Sequence, residues 1–448
     1  VENINLCIDE AYDKEVKYLV FPELAVTSYT CGDLFLNSAL LNASINGMKN
    51  ILEHSLYKDM LITIGAPHLH NNILYNCAYM IFNGKILGIV PKSYIPNYSE
   101  FYEKRWFTEG VNVIDETTSL PFQDNIPFGT NLIFTAGEAR FGVEVCEDLW
   151  VTIPPSSYLS IAGANIIGNP SASNELVSKK DYRLSLIENQ SARCLGAYLY
   201  SSSGVHESTT DLLFSGHLIV AENGSIIKEN ERFQRNNEVI TTSIDLFKLN
   251  SERLKNLSFR DMNKLLPFNI KTIDFSFKNT KITNFDRYVD KHPFVPSNPL
   301  ARDERCKEIF NIQCSALAKR LEHTNLKKAV IGISGGLDST LALLVIVKTF
   351  DMLGINHENI ITITMPGFGT TDRTYNNALT LCRELNCDLR EINIVKAALQ
   401  HFEDIGHDKD IHDVTYENVQ ARERTQILMD LAIKEGGLLI GTGDLSEL

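Results

Sequence analysis

The chain has 448 residues, of which 44% are hydrophobic and 22% charged, a balance typical of a globular protein of two or three domains. Its 56 acidic and 42 basic residues give a formal charge of −14, which argues against broad binding to nucleic acid or to an anionic membrane. No apolar run approaches the roughly 20 residues that span a bilayer. The nine cysteines are scattered without metal-ligand spacing, so we expect reduced thiols in a cytoplasmic protein.

The first 250 residues alternate short apolar runs with helical patterns, which predicts a layered α/β domain with a large sheet. The predicted strands are 18–23, 60–67, 77–82, 86–92, 141–148, 164–170 and 197–203, and the clearest helices are 34–54 and 173–195.

A polar segment over 251–300 follows and reads as a linker, because it ends with three prolines within seven residues. Residues 301–448 form a second α/β unit. Its predicted strands are 327–334, 360–366, 389–394 and 438–443, with helices near 337–349, 374–386 and 416–435. This spacing predicts right-handed crossovers and a parallel sheet. The unit supplies only about four strands and the chain begins with Val1 rather than Met, so we expect a fragment of a longer protein.

The strongest motif is a glycine-rich turn between a buried strand and a helix. It consists of Ser334, Gly335, Gly336, Leu337, Asp338, Ser339 and Thr340. Two glycines allow close approach of a polyanion, and the free N–H groups of the helix end bind phosphate. No Walker A sequence occurs in the chain. Asp338 would repel a phosphate, so it is better placed to hold Mg²⁺.

This loop resembles the pyrophosphate loop of the N-type ATP pyrophosphatases, and the segments 416–424 and 441–447 resemble their NAD synthetase branch. The resemblance implies a doubly wound parallel sheet of the adenine nucleotide α-hydrolase kind. It also implies that ATP is bound by residues 334–340, Leu341 and Thr442. Asn418 and Glu447 would contact deamido-NAD, and Glu447 would approach Mg²⁺ together with Asp338.

A carboxylate, a lysine and a thiol each end a predicted strand in the first domain, at Glu23, Lys92 and Cys146. Carboxyl ends of strands in an open α/β sheet line one crevice, so we expect the three side chains to meet. Glu23 can take the thiol proton and later return it to departing ammonia. Lys92 can stabilise the oxyanion together with the N–H that follows the cysteine.

The order Glu, Lys, Cys resembles the nitrilase superfamily, which implies an α-β-β-α sandwich over this domain. The segments 98–107 and 207–212 are similar to the glutaminase domain of glutamine-dependent NAD synthetases. By that resemblance Tyr98, Ser173 and Lys179 bind the substrate glutamine.

Together the two resemblances imply a homo-oligomeric ligase that hydrolyses glutamine and uses the ammonia, with ATP and Mg²⁺, to amidate deamido-NAD. Keeping ammonia out of bulk water between the two sites would preserve its nucleophilic form. Two alternatives remain open from the residues. One is a glutaminase fused to an ATP pyrophosphatase that acts on another acceptor, and the other is a glutamine and nucleotide sensor without turnover.

Overall fold

The computed structural model describes residues 1–209, 211–279, 285–368 and 372–443. The chain divides into two compact units, Val1–Val289 and Asp290–Leu448. Within the described residues, no helix combines the length and the apolar character needed to cross a membrane.

The described residues of the first unit form thirteen strands and six α-helices. The strands are β1 (Tyr18–Val20), β2 (Leu61–His70), β3 (Ile73–Phe82), β4 (Lys85–Pro91), β5 (Glu116–Leu120), β6 (Gln123–Phe128), β7 (Leu132–Ala136), β8 (Ala139–Val143), β9 (Ile166–Ser171), β10 (Ala197–Ser202), β11 (Leu218–Glu222), β12 (Ser225–Glu229) and β13 (Lys271–Asp274). The helices are α1 (Glu2–Asp13), α2 (Ser38–Ser55), α3 (Pro155–Ile161), α4 (Lys179–Arg193), α5 (Leu246–Lys255) and α6 (Leu257–Asp261).

These strands form two sheets that pack face to face. The six-stranded sheet has the order β1-β2-β3-β4-β6-β5, and the seven-stranded sheet has the order β12-β11-β10-β9-β8-β7-β13. Apolar side chains from both inner faces, such as Met80 and Phe134, share one buried cluster between the sheets. Helices α1 and α2 cover the outer face of the first sheet through residues such as Ile8 and Ile51. Helix α4 covers the second sheet through Ile187, so the predicted α-β-β-α sandwich is confirmed.

The polar segment expected as a linker contributes to this unit. Strand β13 pairs in parallel with β7, with Lys271 opposite Leu132, and forms the edge of the second sheet. Phe275 and Phe277, which follow β13, pack against Phe82 in tilted and edge-on arrangements, with ring centroids 4.9 and 5.7 Å away. Part of the segment 251–300 is therefore held against the sandwich.

Helix α4 begins later than its sequence pattern indicates. The pattern predicts a helix from residue 173, but the helix starts at Lys179 after Ser178, whose φ is +68°. The N–H groups upstream take other partners, since Ser173 donates to Ser202 Oγ at 3.2 Å and Glu175 to the Leu213 carbonyl at 2.7 Å. A loop over 172–178 therefore precedes the helix and lies beside the cysteine turn.

The second unit has four strands and five α-helices among its described residues. They are β14 (Ala329–Gly332), β15 (Ile360–Thr364), β16 (Asp388–Glu391) and β17 (Leu438–Ile440), with α7 (Pro299–Thr324), α8 (Leu337–Leu353), α9 (Asp372–Glu384), α10 (Val395–Ile405) and α11 (Val414–Glu435). All strand pairs are parallel, in the order β16-β15-β14-β17. Helices α7 and α8 pack on one face, through residues such as Leu321 and Phe350, and α11 packs on the other through Ala432. The predicted doubly wound parallel sheet is confirmed, and its strand order switches direction between β14 and β17, where such folds bind ligands.

Candidate active site

The three predicted catalytic side chains meet in the first unit, but they come from two sheets rather than one. Glu23 follows β1 and Lys92 follows β4, both in the six-stranded sheet. Cys146 follows β8 of the facing sheet. All three residues are buried, so the three groups are withdrawn from solvent.

Glu23 is fully buried, and its two carboxyl oxygens have different surroundings. Its Oε1 accepts hydrogen bonds from Lys92 Nζ at 2.7 Å and from Asn76 Nδ2 at 2.6 Å. Its Oε2 has no hydrogen-bond partner of standard geometry among the described residues. Burial raises the pKa of this carboxyl from 4.5 to about 7, against the attraction of Lys92. A carboxylate with a pKa near neutrality and an uncommitted oxygen is suited to exchange a proton with its neighbour.

Lys92 is held between two buried carboxylates. Its Nζ lies 2.7 Å from Glu23 Oε1, and 2.8 and 3.0 Å from the two oxygens of Glu103. Glu103 also accepts a 2.6 Å hydrogen bond from the Tyr29 hydroxyl. Burial opposes the ammonium charge, but the attraction of Glu103 and Glu23 outweighs it and raises the pKa of Lys92 well above its ordinary value. Lys92 is therefore a fixed positive charge beside the thiol.

Cys146 occupies a strained turn. Its φ is +47°, in the left-handed region that non-glycine residues seldom adopt, and it begins a 3₁₀ turn over Cys146–Leu149. Its backbone N–H donates to Asn169 Oδ1 at 3.1 Å. Burial and the Glu23 charge raise the pKa of the thiol well above its ordinary value, while Lys92 and the Ala172 N–H oppose the rise. The neutral thiol thus needs a base, and Glu23 is the adjacent candidate.

The residues predicted to bind glutamine lie around this turn. The hydroxyl of the half-exposed Tyr98 donates at 2.9 Å to Glu147, the residue after Cys146, and burial and the Glu147 carboxylate raise the pKa of Tyr98. Lys179 Nζ lies 5.2 Å from the Trp150 ring centroid and donates to Asn174. Burial lowers the pKa of the Lys179 ammonium from its ordinary value.

Ser173 lies in the loop before α4 and next to Ala172, whose N–H faces the sulfur. The side chain of Arg183 reaches Ser173 Oγ at 3.4 Å. Tyr98, Ser173 and Lys179 therefore offer a hydroxyl, a second hydroxyl and an ammonium in the neighbourhood of Cys146.

In the second unit, the phosphate loop joins β14 to α8 as predicted. Gly335 has a φ of +79°, and a Cβ there would lie 2.0 Å from the Thr374 carbonyl oxygen, so only glycine fits. Ser334 Oγ and Ser339 Oγ are 3.1 Å apart, and Thr340 Oγ1 donates to the Gly336 carbonyl at 2.8 Å. The hydroxyls are thus arranged around the N-terminus of α8.

The remaining predicted nucleotide ligands are spread around the same strand ends. Asp338 and Leu341 are exposed in the first turns of α8, and Asn418 is exposed on α11. Thr442 follows β17, the strand beside β14, and is partly exposed. Glu447 lies outside the described residues. Among the described residues, no cluster of three or more His, Cys, Asp or Glu side chains forms a metal site. The exposed Asp338 carboxylate beside the loop does fit a hard cation that arrives with phosphates, because Mg²⁺ prefers oxygen ligands.

Two residues of the first site escaped the sequence analysis, Glu103 and Asn76. Glu103 belongs to the aromatic segment 98–107, which was recognised as a motif without a role for its carboxylate. Glu103 is buried and Glu100 in the same segment is not, but a 3₁₀ turn of three residues is too short for its sequence pattern to predict burial. Asn76 lies within β3, where a polar residue in an apolar run was the available signal.

Comparisons with known proteins agree with both units. A carbon-nitrogen hydrolase family model matches residues 1–252, and an NAD synthase model matches residues 309–448. A glutamine-dependent NAD(+) synthetase of Mycobacterium leprae is 39% identical over 98% of this chain and 66% of its own length. One from Thermotoga maritima is 29% identical over 98% of this chain and 70% of its own length. A crystal structure of such an enzyme from Cytophaga hutchinsonii aligns with all of this chain and 72% of its own, at 22% identity and a TM-score of 0.49.

The chain therefore spans about two thirds of the length of the curated relatives that it matches. The hydrolase model covers more than half of the chain, and the synthase model follows it. The chain belongs to the carbon-nitrogen hydrolase family, and it resembles the glutamine-dependent NAD(+) synthetases along almost its whole length.

Proposed function

We propose that the protein is a glutamine-dependent NAD(+) synthetase that converts deamido-NAD, ATP, glutamine and water into NAD, AMP, pyrophosphate and glutamate. Residues 1–250 carry the glutaminase chemistry, residues 301–448 carry the synthetase chemistry, and residues 251–300 connect them. We assign the enzyme to the cytoplasm, in accord with its nine free thiols, and we expect it to be a homo-oligomer.

Glutamine hydrolysis begins when Glu23 takes the Cys146 proton and the sulfur attacks the side-chain amide carbon. Lys92 and the Glu147 N–H stabilise the oxyanion, and Glu23 returns the proton to the departing ammonia. A thioester remains on Cys146, and a water molecule activated by Glu23 hydrolyses it to glutamate. Tyr98, Ser173 and Lys179 hold the amino-acid end of glutamine during these steps.

In the second unit, the loop over 334–340 with Leu341 and Thr442 holds ATP, while Asn418 and Glu447 contact deamido-NAD. The nicotinate carboxylate attacks the α-phosphorus and releases pyrophosphate, and ammonia then displaces AMP from the mixed anhydride. Asp338 and Glu447 would hold Mg²⁺, which offsets negative charge on the leaving pyrophosphate.

One observation carries this proposal: a buried Glu23–Lys92 pair beside Cys146 occurs in the same chain as a phosphate loop at the switch point of a doubly wound sheet. The reported relatives favour deamido-NAD over another acceptor. The proton-exchange geometry of Glu23 favours turnover over a sensor without catalysis.

The test uses the full-length protein with either glutamine or ammonium as the nitrogen source. We expect Cys146→Ala to abolish NAD formation from glutamine and to retain it from ammonium, because only the first unit loses its nucleophile. Equal loss of both activities in a folded variant would refute the division of labour. Turnover with xanthosine monophosphate but not with deamido-NAD would assign another acceptor.

A further inference from the structure

The carboxylate of Asp148 accepts hydrogen bonds from backbone N–H groups next to two of the three catalytic residues. Its Oδ2 accepts hydrogen bonds from the N–H groups of Val145 at 2.9 Å and Ser93 at 3.2 Å. Its Oδ1 accepts one from the Tyr94 N–H at 2.9 Å. Asp148 is buried with 1% exposure, so these bonds are shielded from water.

The three residues that donate to Asp148 lie beside catalytic residues in the sequence. Val145 directly precedes Cys146, and Ser93 directly follows Lys92. The two segments leave different sheets, because β4 belongs to the six-stranded sheet and β8 to the seven-stranded one. Asp148 thus fixes the end of one sheet to the end of the other at the place where the ammonium and the thiol must face each other.

The cysteine turn needs such support. Cys146 is held at a φ of +47°, and conformations of this kind persist only where the surroundings determine them. Asn169 holds the Cys146 N–H, and Asp148 holds the N–H of the residue before it. Neither of these two hydrogen bonds constrains the backbone next to Lys92, whereas the hydrogen bonds from the Ser93 and Tyr94 N–H groups to Asp148 do.

We infer that Asp148 is a positioning residue for glutamine hydrolysis, which sets the separation of the Lys92 ammonium from the Cys146 sulfur without touching either. This inference rests on the proposed glutaminase function. Burial raises the pKa of the Asp148 carboxyl from 3.8 to about 8, but the N–H groups of Val145, Tyr94 and Ser93 donate to both of its oxygens and favour the ionised form. In Asp148→Asn the side chain keeps its size, but one of its two acceptor atoms becomes an NH₂ group that faces backbone N–H donors. At least one of the three bonds is then lost, and the two segments are no longer held in one geometry.

The experiment compares the wild type with Asp148→Asn in the full-length protein. We expect kcat for glutamine hydrolysis to fall about 10²-fold, the loss typical of a small misplacement of catalytic groups. The KM for glutamine should change less than about threefold, since Tyr98, Ser173 and Lys179 are untouched. NAD formation from ammonium should remain at the wild-type rate.

A second readout needs no glutamine. Iodoacetamide alkylates the thiolate, so the pH dependence of Cys146 labelling, followed by mass spectrometry, reports how well Lys92 supports the negative charge. We expect the labelling curve of Asp148→Asn to move to higher pH. If the wild type hydrolyses no glutamine, the proposed function fails, and the labelling curve alone decides the role of Asp148.

The matched control is Glu222→Gln, which alters another buried carboxylate of the first unit. Glu222 accepts the Asp245 N–H at 2.9 Å and pairs with Arg287 at 2.6 Å, away from the catalytic groups. It should lower the melting temperature without moving kcat or the labelling curve. Wild-type kcat and labelling in folded Asp148→Asn, or equal losses in Glu222→Gln, would overturn the inference.

Asp148→Glu covers the case in which the Asn variant does not fold. It retains a carboxylate for the three N–H groups but displaces it by one methylene, so a smaller fall in kcat at constant KM supports the inference. Wild-type kcat in that variant would overturn it. Failure of both variants to fold would also overturn it, because Asp148 would then act through stability alone.

Discussion

Replacement of Glu23 by Gln should separate catalysis from stability. The buried carboxyl has a pKa of about 7 instead of 4.5, with burial as the largest cause. Gln resembles the protonated form in size and carries no charge, and Lys92 keeps its second partner, Glu103, at 2.8 Å. The variant should therefore lose the base without leaving an unpaired ammonium in the interior.

The size of the stability difference between Glu23→Gln and the wild type follows from the difference between the pKa of Glu23 in the folded state and its pKa in the unfolded state. A raised pKa in the folded state means that the contribution of Glu23 to stability is fully present below about pH 4.5 and is lost as pH rises through about 7. About 2.5 pKa units at roughly 1.36 kcal/mol each amount to about 3 kcal/mol. Glu23→Gln escapes this loss, so it should match the wild type near pH 4.5 and exceed its stability by about 3 kcal/mol at pH 8.

Two measurements test this. Melting temperatures of both proteins between pH 5 and 8.5 should diverge by several degrees as pH rises, and glutamine hydrolysis should fall by about 10²–10⁴-fold in the variant. Glu222→Gln serves as the control, because it removes the partner of Arg287 and should lower stability. A stability difference that is independent of pH, or that favours the wild type more at high pH, would show that Glu23 is not held above its ordinary pKa. Near-normal hydrolysis would remove it as the base.

Three further variants test the other contacts. In Glu103→Gln the acidic limb of kcat/KM for glutamine should move to lower pH, because the Glu103 charge helps to raise the pKa of Glu23, and an unmoved limb would contradict this coupling. Gly335→Ala should abolish pyrophosphate release while glutamine hydrolysis continues, since its Cβ would lie 2.0 Å from a backbone oxygen, and wild-type pyrophosphate release would be inconsistent with that packing. Asp338→Asn should weaken Mg-ATP binding and slow NAD formation from both nitrogen sources; unchanged pyrophosphate release at saturating Mg²⁺ would remove Asp338 from the metal site.

The sequence predicted elements best where the pattern was long and apolar. Strands β14, β15 and β17 of the second unit were recognised because each lies in a largely apolar run, as at 360–366. Strands such as β5 and β12 were missed, because Thr, Ser, Glu and Lys fill these short strands near the sheet edges. The start of α4 was wrong, because bonds to Ser202 and Leu213 withdraw the preceding N–H groups from the helix, and such tertiary partners leave no local pattern.

The candidate site was predictable to the extent that chemistry and strand ends determine it. Glu23, Lys92 and Cys146 could be proposed together, because each ends a strand and their functions are complementary. Their arrangement across two facing sheets could not be predicted, since the residues carry no information on which strands share a sheet. Glu103 and Asp148 stayed without a role for a related reason: Glu103 contacts Tyr29, and Asp148 contacts Ser93 and Tyr94, which are distant along the chain.

The edge strand β13 affects how the protein can be divided for experiments. The hydrolase family match ends at residue 252, whereas the compact unit continues to Val289. A fragment cut near residue 252 would lose the strand that pairs with β7 from Leu132 to Thr135 and would expose that backbone edge together with the ring of Phe82. Exposed edges of this kind pair with other chains and promote aggregation. Insolubility of such a fragment would then reflect a poorly chosen boundary, so the isolated first unit is better expressed as residues 1–289.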